Sequence, residues 1–427
     1  MIPNLREELS ELMILGRKLG VLDVQFASET SAGGKYLGFG GKPILDCTRL
    51  DYLGIGQEQI IKSLMIKAIL DYDIGCPASQ IVTKTSLLTD LEERVASWQK
   101  LEKALIFCTG YSTNDNILQA LGMRLMSPHL IAYTRANGNG HKFRGMKTLF
   151  FSDRLSHYSI MHGIRVACHV HPDLCQSYKF DCTKIETLAE QLEAKRNILQ
   201  DNLGVIVSDT LISTNGNGVD LFALYRLAVK YDCLLYLDEA HAVGALGKDG
   251  RGMANALLDD PTVDKERLMV MGTFTKTFSQ MGGFICLGNQ ELGHMVRIGS
   301  PQFIFSGPIL PWMGAVLIGT IDLFSSPWGA AKRESLKRKA DYLRTELTKL
   351  GMDTMGSEYH IVPVLIGSED QTFELQASLR ERGYHVAAFH YPATPRGEAI
   401  LRFSVCDDMT HEELAAFVKA FKSCARA

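Results

Sequence analysis

Six short, almost unbroken apolar runs mark the middle of this chain: Ala104–Cys108, Lys147–Phe151, Gly204–Ser208, Leu234–Leu237, Met269–Gly272 and Gly283–Leu287. Leu87–Gln99, of helical spacing, precedes the first, and Asn114–Arg124, Ile185–Leu199 and Leu221–Tyr231, also of helical spacing, lie between successive runs. Strands without polar alternation must be covered on both faces, and helices between successive strands supply that cover. The pattern predicts an α/β fold with a large mixed or mostly parallel sheet.

The two ends read differently. Leu5, Leu9, Leu12, Met13, Leu15 and Leu19 fall near helical spacing, and a glycine-rich loop or hairpin from Gly33 to Gly41 leads into Ile44–Cys47. Toward the other end, Ile309–Leu323 reads as a core helix and Ala331–Leu350 as a long charged one. Ile361–Ile366, Val386–Phe389 and Leu401–Val405 then read as strands and His411–Ala425 as a closing helix, which makes a smaller α+β domain. The expected division is 1–45 for an N-terminal helix and connecting segment, 46–300 for the large α/β domain and 301–427 for the C-terminal domain. A chain of 427 residues can bury such cores without disulfides.

Composition removes several function classes. A net charge of −3 gives no electrostatic case for a nucleic-acid or anionic-membrane binder. No transmembrane segment is expected: the most apolar candidate, Ile309–Phe324, carries Asp322 and prolines near its start. Charges interrupt every apolar run near the N-terminus, so no secretory signal is expected. The ten cysteines are scattered without a C-x-x-C pair, which suits a reducing, cytoplasmic setting. His162, His169 and His171 cluster without Cys or Asp at ligand spacing, so no metal is expected.

The chemistry concentrates after residue 233. The run 234–237 ends in Asp238, and His241 follows. Residues at the carboxyl ends of parallel strands line the ligand crevice of such sheets. Taken alone, the segment is equally a capping aspartate with a surface histidine. Further on, Lys276 stands among hydroxyl and apolar residues, just after a strand and before Gly282-Gly283. That setting can depress a lysine pKa, as Schiff-base chemistry requires. A strand-end Asp, a nearby His and a downstream Lys in this order is the arrangement expected around pyridoxal 5′-phosphate (PLP).

Three further segments extend the pattern: Thr109–Asn114 (TGYSTN), Asp153–Ser159 (DRLSHYS) and Ile400–Ser404 (ILRFS). With them, from about residue 45 to 420, the sequence resembles the α-oxoamine synthases, a branch of the fold-type I PLP-dependent transferases. That family includes 8-amino-7-oxononanoate synthase, 5-aminolevulinate synthase, serine palmitoyltransferase and the hydroxyketone quorum-sensing autoinducer synthases, the last being the nearest likeness.

The resemblance implies roles residue by residue. Lys276 matches the Schiff-base lysine, Asp238 the partner of the pyridinium nitrogen, and His241 the residue bonding the cofactor phenolate oxygen. His157 matches the histidine stacked on the pyridine ring, while Gly110 and Tyr111 match the backbone donors to its phosphate. Ser213 is implied near the cofactor, Thr273 on the phosphate, and Ser306 as the remaining hydroxyl of an F-S-x-[ST] turn. Arg402 matches the arginine holding the amino-acid carboxylate. PLP as cofactor, an amino acid and an acyl-CoA as substrates, and a homodimer follow from the same likeness.

The sequence also departs from the family. Leu50 replaces a usual Asn, Leu88 a usual His, and Pro308 a usual hydroxyl residue. Thr214-Asn215-Gly216 replaces M-[DE]-G, and Asp407–Thr410 replaces the usual A-H-T link. Residues 389–397 instead resemble 5-aminolevulinate synthases. The basic loop expected at 126–147 could meet an anionic acyl carrier or be an ordinary solvated loop. Two other readings stay open: a different PLP enzyme, such as an aminotransferase or decarboxylase, and a non-catalytic partner subunit.

Overall fold

Seven strands form the large sheet of the computed structural model, which describes residues 9–14, 34–75, 78–123 and 147–425. They are β1 (Lys103–Phe107), β2 (Thr148–Asp153), β3 (Cys175–Phe180), β4 (Leu203–Asp209), β5 (Cys233–Asp238), β6 (Leu268–Thr273) and β7 (Gly283–Leu287). Their order is β1-β7-β6-β5-β4-β2-β3. Strands β6, β5, β4, β2 and β3 pair in parallel, and β7 runs antiparallel to both its neighbours. The reversal follows from chain length. Only residues 274–282 join β6 to β7, too few for the helical crossover a parallel pair needs. That short link carries Lys276.

Helices cover the sheet: α1 (Gln59–Asp71), α2 (Ser86–Gln99), α3 (Gly110–Gly122), α4 (Tyr158–Val170), α5 (Ile185–Ala194), α6 (Leu221–Lys230), α7 (Gln290–Gly299) and α8 (Pro311–Phe324). Phe150, Val205, Val207, Tyr236, Met269 and Ile285 from the strands meet Ile117, Leu121, Ile160 and Ile164 from α3 and α4 in one buried core. Burying each such side chain contributes roughly 1.5–3 kcal/mol. Helices α3 and α4 approach closely because glycines face the contact. A Cβ on Gly122 would stand 2.5 Å from Ala167 Cβ, and one on Gly163 would stand 3.1 Å from Asp115 Cα.

The chain divides into two compact units. Leu50–Arg338 form one, and the described residues up to Arg49 join those from Lys339 onward in the other. The cut therefore falls at 338/339, where a division at 300 is expected from sequence. The reason is α8, whose buried Met313, Val316, Leu317 and Ile321 belong to a helix packed on α1 and α2. The segment expected as a separate N-terminal piece likewise joins the smaller unit through residues 34–49. Of the expected N-terminal helix, residues 9–14 are helical, and the rest lies outside the described residues, as does nearly all of the 126–147 loop.

In the smaller unit, Tyr36–Phe39 and Lys42–Asp46 form an antiparallel hairpin, and Lys42–Asp46 also pairs in parallel with Tyr384–His385. A second sheet orders Ile361–Gly367, Ala399–Ser404 and Ala387–Phe389, all antiparallel. Helix His411–Cys424 starts with a capping box between Thr410 and Glu413, and its Phe417 ring sits 4.6 Å from that of Phe403. Among the described residues no helix is long and apolar enough to cross a membrane.

Candidate active site

The carboxyl ends of the parallel strands present a row of polar residues: Asp153 ends β2, Asp209 ends β4, Asp238 ends β5 and Thr273 ends β6. All four are buried. In-register pairing sets Asp209 directly beside Asp238. Asp238 is held at both oxygens, Oδ1 accepting from Ala240 N at 2.8 Å and Oδ2 from Asn114 Nδ2 at 2.7 Å. Burial of Asp209 and the field of Asp238 beside it both raise its pKa well above the usual carboxylate range. The positive charge of Lys276 opposes that rise.

His157 caps α4, and its backbone N–H donates to Asp209 Oδ1 at 3.2 Å. The side chain is partly exposed. Desolvation by the surrounding protein pushes its pKa below the ordinary imidazole value; Asp238 acts against this and Lys276 with it. His157, Asp209, Asp238 and Lys276 therefore lie within electrostatic reach of one another. His241 is buried three residues beyond Asp238, with Nδ1 2.6 Å from the hydroxyl of the fully buried Tyr52.

A second corner forms where α3 begins. Thr109 is its N-cap: the side chain accepts from Ser112 N, and Ser112 returns a bond to the Thr109 backbone. The N–H groups of Gly110 and Tyr111 come ahead of the helix's own hydrogen bonds. Thr109 bridges in parallel to Gly282, which brings this turn against the lysine link. There Thr273 Oγ1 lies 2.7 Å from Thr275 Oγ1 and donates to Gly282 O at 3.2 Å. The approach needs glycine: a Cβ on Gly110 would stand 2.7 Å from Thr273 Cβ. Gly110→Ala is therefore expected to destabilise the protein by about 1–3 kcal/mol. A urea-unfolding midpoint that does not move would show that the turn gives way instead.

The other expected site residues fall in several places. Ser213 is half-buried in the turn after β4, beyond Leu211 and Ile212. Ser306 is exposed, and among the described residues its hydroxyl bonds only to the Gly307 carbonyl, at 3.4 Å. Arg402 belongs to the smaller unit, buried on strand Ala399–Ser404 with its guanidinium 4.5 Å from the Phe389 ring centre. Three contributors have no assigned role in the sequence reading: Asp209, Asn114 and Tyr52. Asp209 had a signal, since GVIVSD, like LLYLD, is an apolar run ending in an aspartate. The other two are defined only by what packs beside them.

Comparison with known proteins agrees with this geometry. Residues 143–421 match the family described as aminotransferase class I and II. An 8-amino-7-oxononanoate synthase from Citrifermentans bemidjiense is 31% identical over 389 residues, covering 89% of this chain and 88% of that protein. A serine palmitoyltransferase from Bacteriovorax stolpii is 28% identical over 373 residues, covering 87% and 80%. A solved serine palmitoyltransferase carrying PLP superposes with a TM-score of 0.82 over 98% of each chain at 22% identity, a likeness of fold.

Proposed function

The chain belongs to the aminotransferase class I and II family and, within it, to the α-oxoamine synthases, and on that premise we propose its reaction. It condenses an amino acid with an acyl-CoA thioester, releasing CO₂ and free CoA, to give an α-aminoketone. The observation that carries this reading is the convergence of His157, Asp238 and Lys276, with both charged groups acting on the imidazole.

The donor set fits PLP. A doubly held carboxylate, Asp238, suits a protonated ring nitrogen. The helix-start N–H groups of Gly110 and Tyr111, backed by the Thr273 hydroxyl, suit a phosphate. The tight approach of Gly110 to Thr273 keeps that corner free of any side chain the phosphate would meet. His241 suits the phenolate oxygen, and Ser213 stands near it in this reading.

Bound PLP supplies an electron sink for negative charge at the α-carbon of the amino acid. Lys276 Nζ would hold the cofactor, and its free amine would take the α-proton. Asp238 keeps the ring nitrogen protonated. His157 would pack on the cofactor ring, while Asp209, by accepting the His157 backbone N–H, fixes where α4 begins. Arg402 is assigned the substrate carboxylate, for which a planar bidentate donor is suited.

The reading includes a cytoplasmic homodimer. Ile81, Val82 and Phe305 are exposed apolar residues, and Ile81 N bonds Phe303 O at 3.2 Å, so the two segments adjoin. Such a patch is expected to be covered. The exposed Ser306 beside it would then serve the phosphate of the second copy. A quorum-sensing signal precursor is the product to which the likeness with the hydroxyketone autoinducer synthases points.

Protein loaded with PLP, offered a panel of amino acids and acyl-CoAs, tests the reading through a thiol reagent that reports CoA release. Release with a small amino acid and a medium-chain acyl-CoA supports the signal-type enzyme. Release with serine and palmitoyl-CoA gives the sphingolipid type. Exchange between amino and keto acids without CoA release makes it an aminotransferase, and protein that takes up no PLP makes it a non-catalytic subunit.

A further inference from the structure

Five side chains at the site form one hydrogen-bonded line that branches at Asn114. Tyr236 Oη lies 2.6 Å from Asn114 Oδ1. Asn114 Nδ2 lies 2.7 Å from Asp238 Oδ2 and 2.9 Å from Ser159 Oγ. Ser159 Oγ lies 2.7 Å from His157 Nδ1. Tyr236, Asn114 and Ser159 are buried, so bulk water offers no substitute partner. The line exists because glycines let α3 and α4 approach, which sets Asn114 of α3 against Ser159 of α4.

The direction of each bond follows from chemistry. A carboxylate only accepts, so Asn114 turns its NH₂ toward Asp238 and leaves its carbonyl oxygen for Tyr236. Burial, with Asp238 and Asp209 nearby, holds the Tyr236 phenol well above its ordinary pKa, so it donates. The second Asn114 hydrogen goes to Ser159 Oγ. The Ser159 hydrogen then goes to His157 Nδ1, which also faces the Ser159 backbone N–H at 3.3 Å. Two donors converging on one ring nitrogen keep that nitrogen without a proton, which leaves the imidazole proton on Nε2.

We propose that Asn114 is a positioning residue: it couples the orientation of Asp238 to that of His157 and, through Ser159, locks His157 as the Nε2–H tautomer. No other described hydrogen bond runs between the Asp238 carboxylate and the His157 ring, which come from different elements. A neutral ring also avoids a second positive charge beside Lys276. The inference rests on the PLP reading only in taking Asp238 and His157 as groups that meet the cofactor.

Ser159→Ala cuts the last link and Asn114→Ala the middle one. Nitrogen NMR of histidine-labelled apo-protein reads the tautomer without cofactor or turnover, with His157 assigned by the signals lost in His157→Gln. The wild type is expected to show Nδ1 bare and Nε2 protonated, and Ser159→Ala, which loses the 2.7 Å hydroxyl donor and keeps only the longer 3.3 Å backbone N–H, a mixture of tautomers. Absorbance titration with PLP is expected to show affinity about tenfold weaker or more in Asn114→Ala, with reduced visible circular dichroism of the bound cofactor. A protonated Nδ1 in the wild type, or an unchanged tautomer in Ser159→Ala, overturns the proposal. So does unchanged affinity and dichroism in Asn114→Ala; should that variant not fold, the Ser159→Ala tautomer decides. Wild-type protein that takes up no PLP strikes the functional reading instead, because the tautomer is measured without cofactor.

Discussion

Lys276→Ala protein is expected to fold, to bind PLP only reversibly, and to turn over at least about ten-thousandfold more slowly than wild type. The fold should survive because the link that carries Lys276 is built by other groups. Its backbone is closed by Phe274 N to Gly282 O, Gln280 N to Phe274 O and Ser279 N to Lys276 O, each at 2.9 Å. Its apolar anchors are Phe274 and Phe278, with Phe278 packed 4.7 Å from the Phe324 ring. The side chain itself is only half-buried, so truncating it leaves little cavity. What disappears is the amine that would take the α-proton. Steady-state CoA release under saturating PLP measures the loss, with the thermal midpoint as a check on folding. Turnover above about a hundredth of wild type would remove Lys276 from proton transfer.

Asp238→Asn should cost both rate and stability, through separate routes. Turnover is expected to fall by about a hundred- to a thousandfold, because a neutral amide no longer holds the ring nitrogen protonated. The substitution also sets an NH₂ group against the NH₂ of Asn114, or against the N–H of Ala240 if the amide is turned. One buried donor is then left without an acceptor, at a cost of about 1–3 kcal/mol. Asp238→Glu separates the two routes: it keeps the charge but misplaces it, so it should recover less rate than charge alone would give. Unfolding by urea and turnover with added PLP are the two measurements. An Asp238→Asn enzyme within about threefold of wild-type turnover would take the carboxylate out of the mechanism.

What could be read along the chain follows from what is local. The apolar strands β1, β2, β4, β5, β6 and β7 announce themselves because burial on both faces leaves no polar alternation. The edge strand β3 does not: CQSYKF is buried only at its two ends, with half-buried and exposed positions alternating between them, and among the described residues it pairs on one side only. Tyr384–His385 is too short to carry a pattern and exists only through its pairing with Lys42–Asp46. Helix α4 carries a weak helical signature because its apolar positions, Ile160, Ile164 and Ala167, are interspersed with histidines and a glycine. The site divides in the same way. Asp238 ends an apolar strand and Lys276 follows one, so local order marks both, while His157, Gly110 and Thr273 are named through the family resemblance. Asp209 acquires its character from lateral register, and Asn114 from the approach of two helices, neither of which is written in neighbouring letters.

The smaller unit is assembled from both ends of the chain, with Leu45 partnered by Tyr384. During synthesis this sets an order of events. The hairpin 36–46 leaves the ribosome early, but its parallel partner follows only after more than three hundred further residues. At about 5–20 residues per second that is an interval of tens of seconds. Meanwhile the contiguous stretch 50–338 can close on itself, while Lys42–Asp46 keeps an unpaired edge. A transcript cut short before codon 384 would release a product that permanently exposes that edge, a ready template for intermolecular strand pairing.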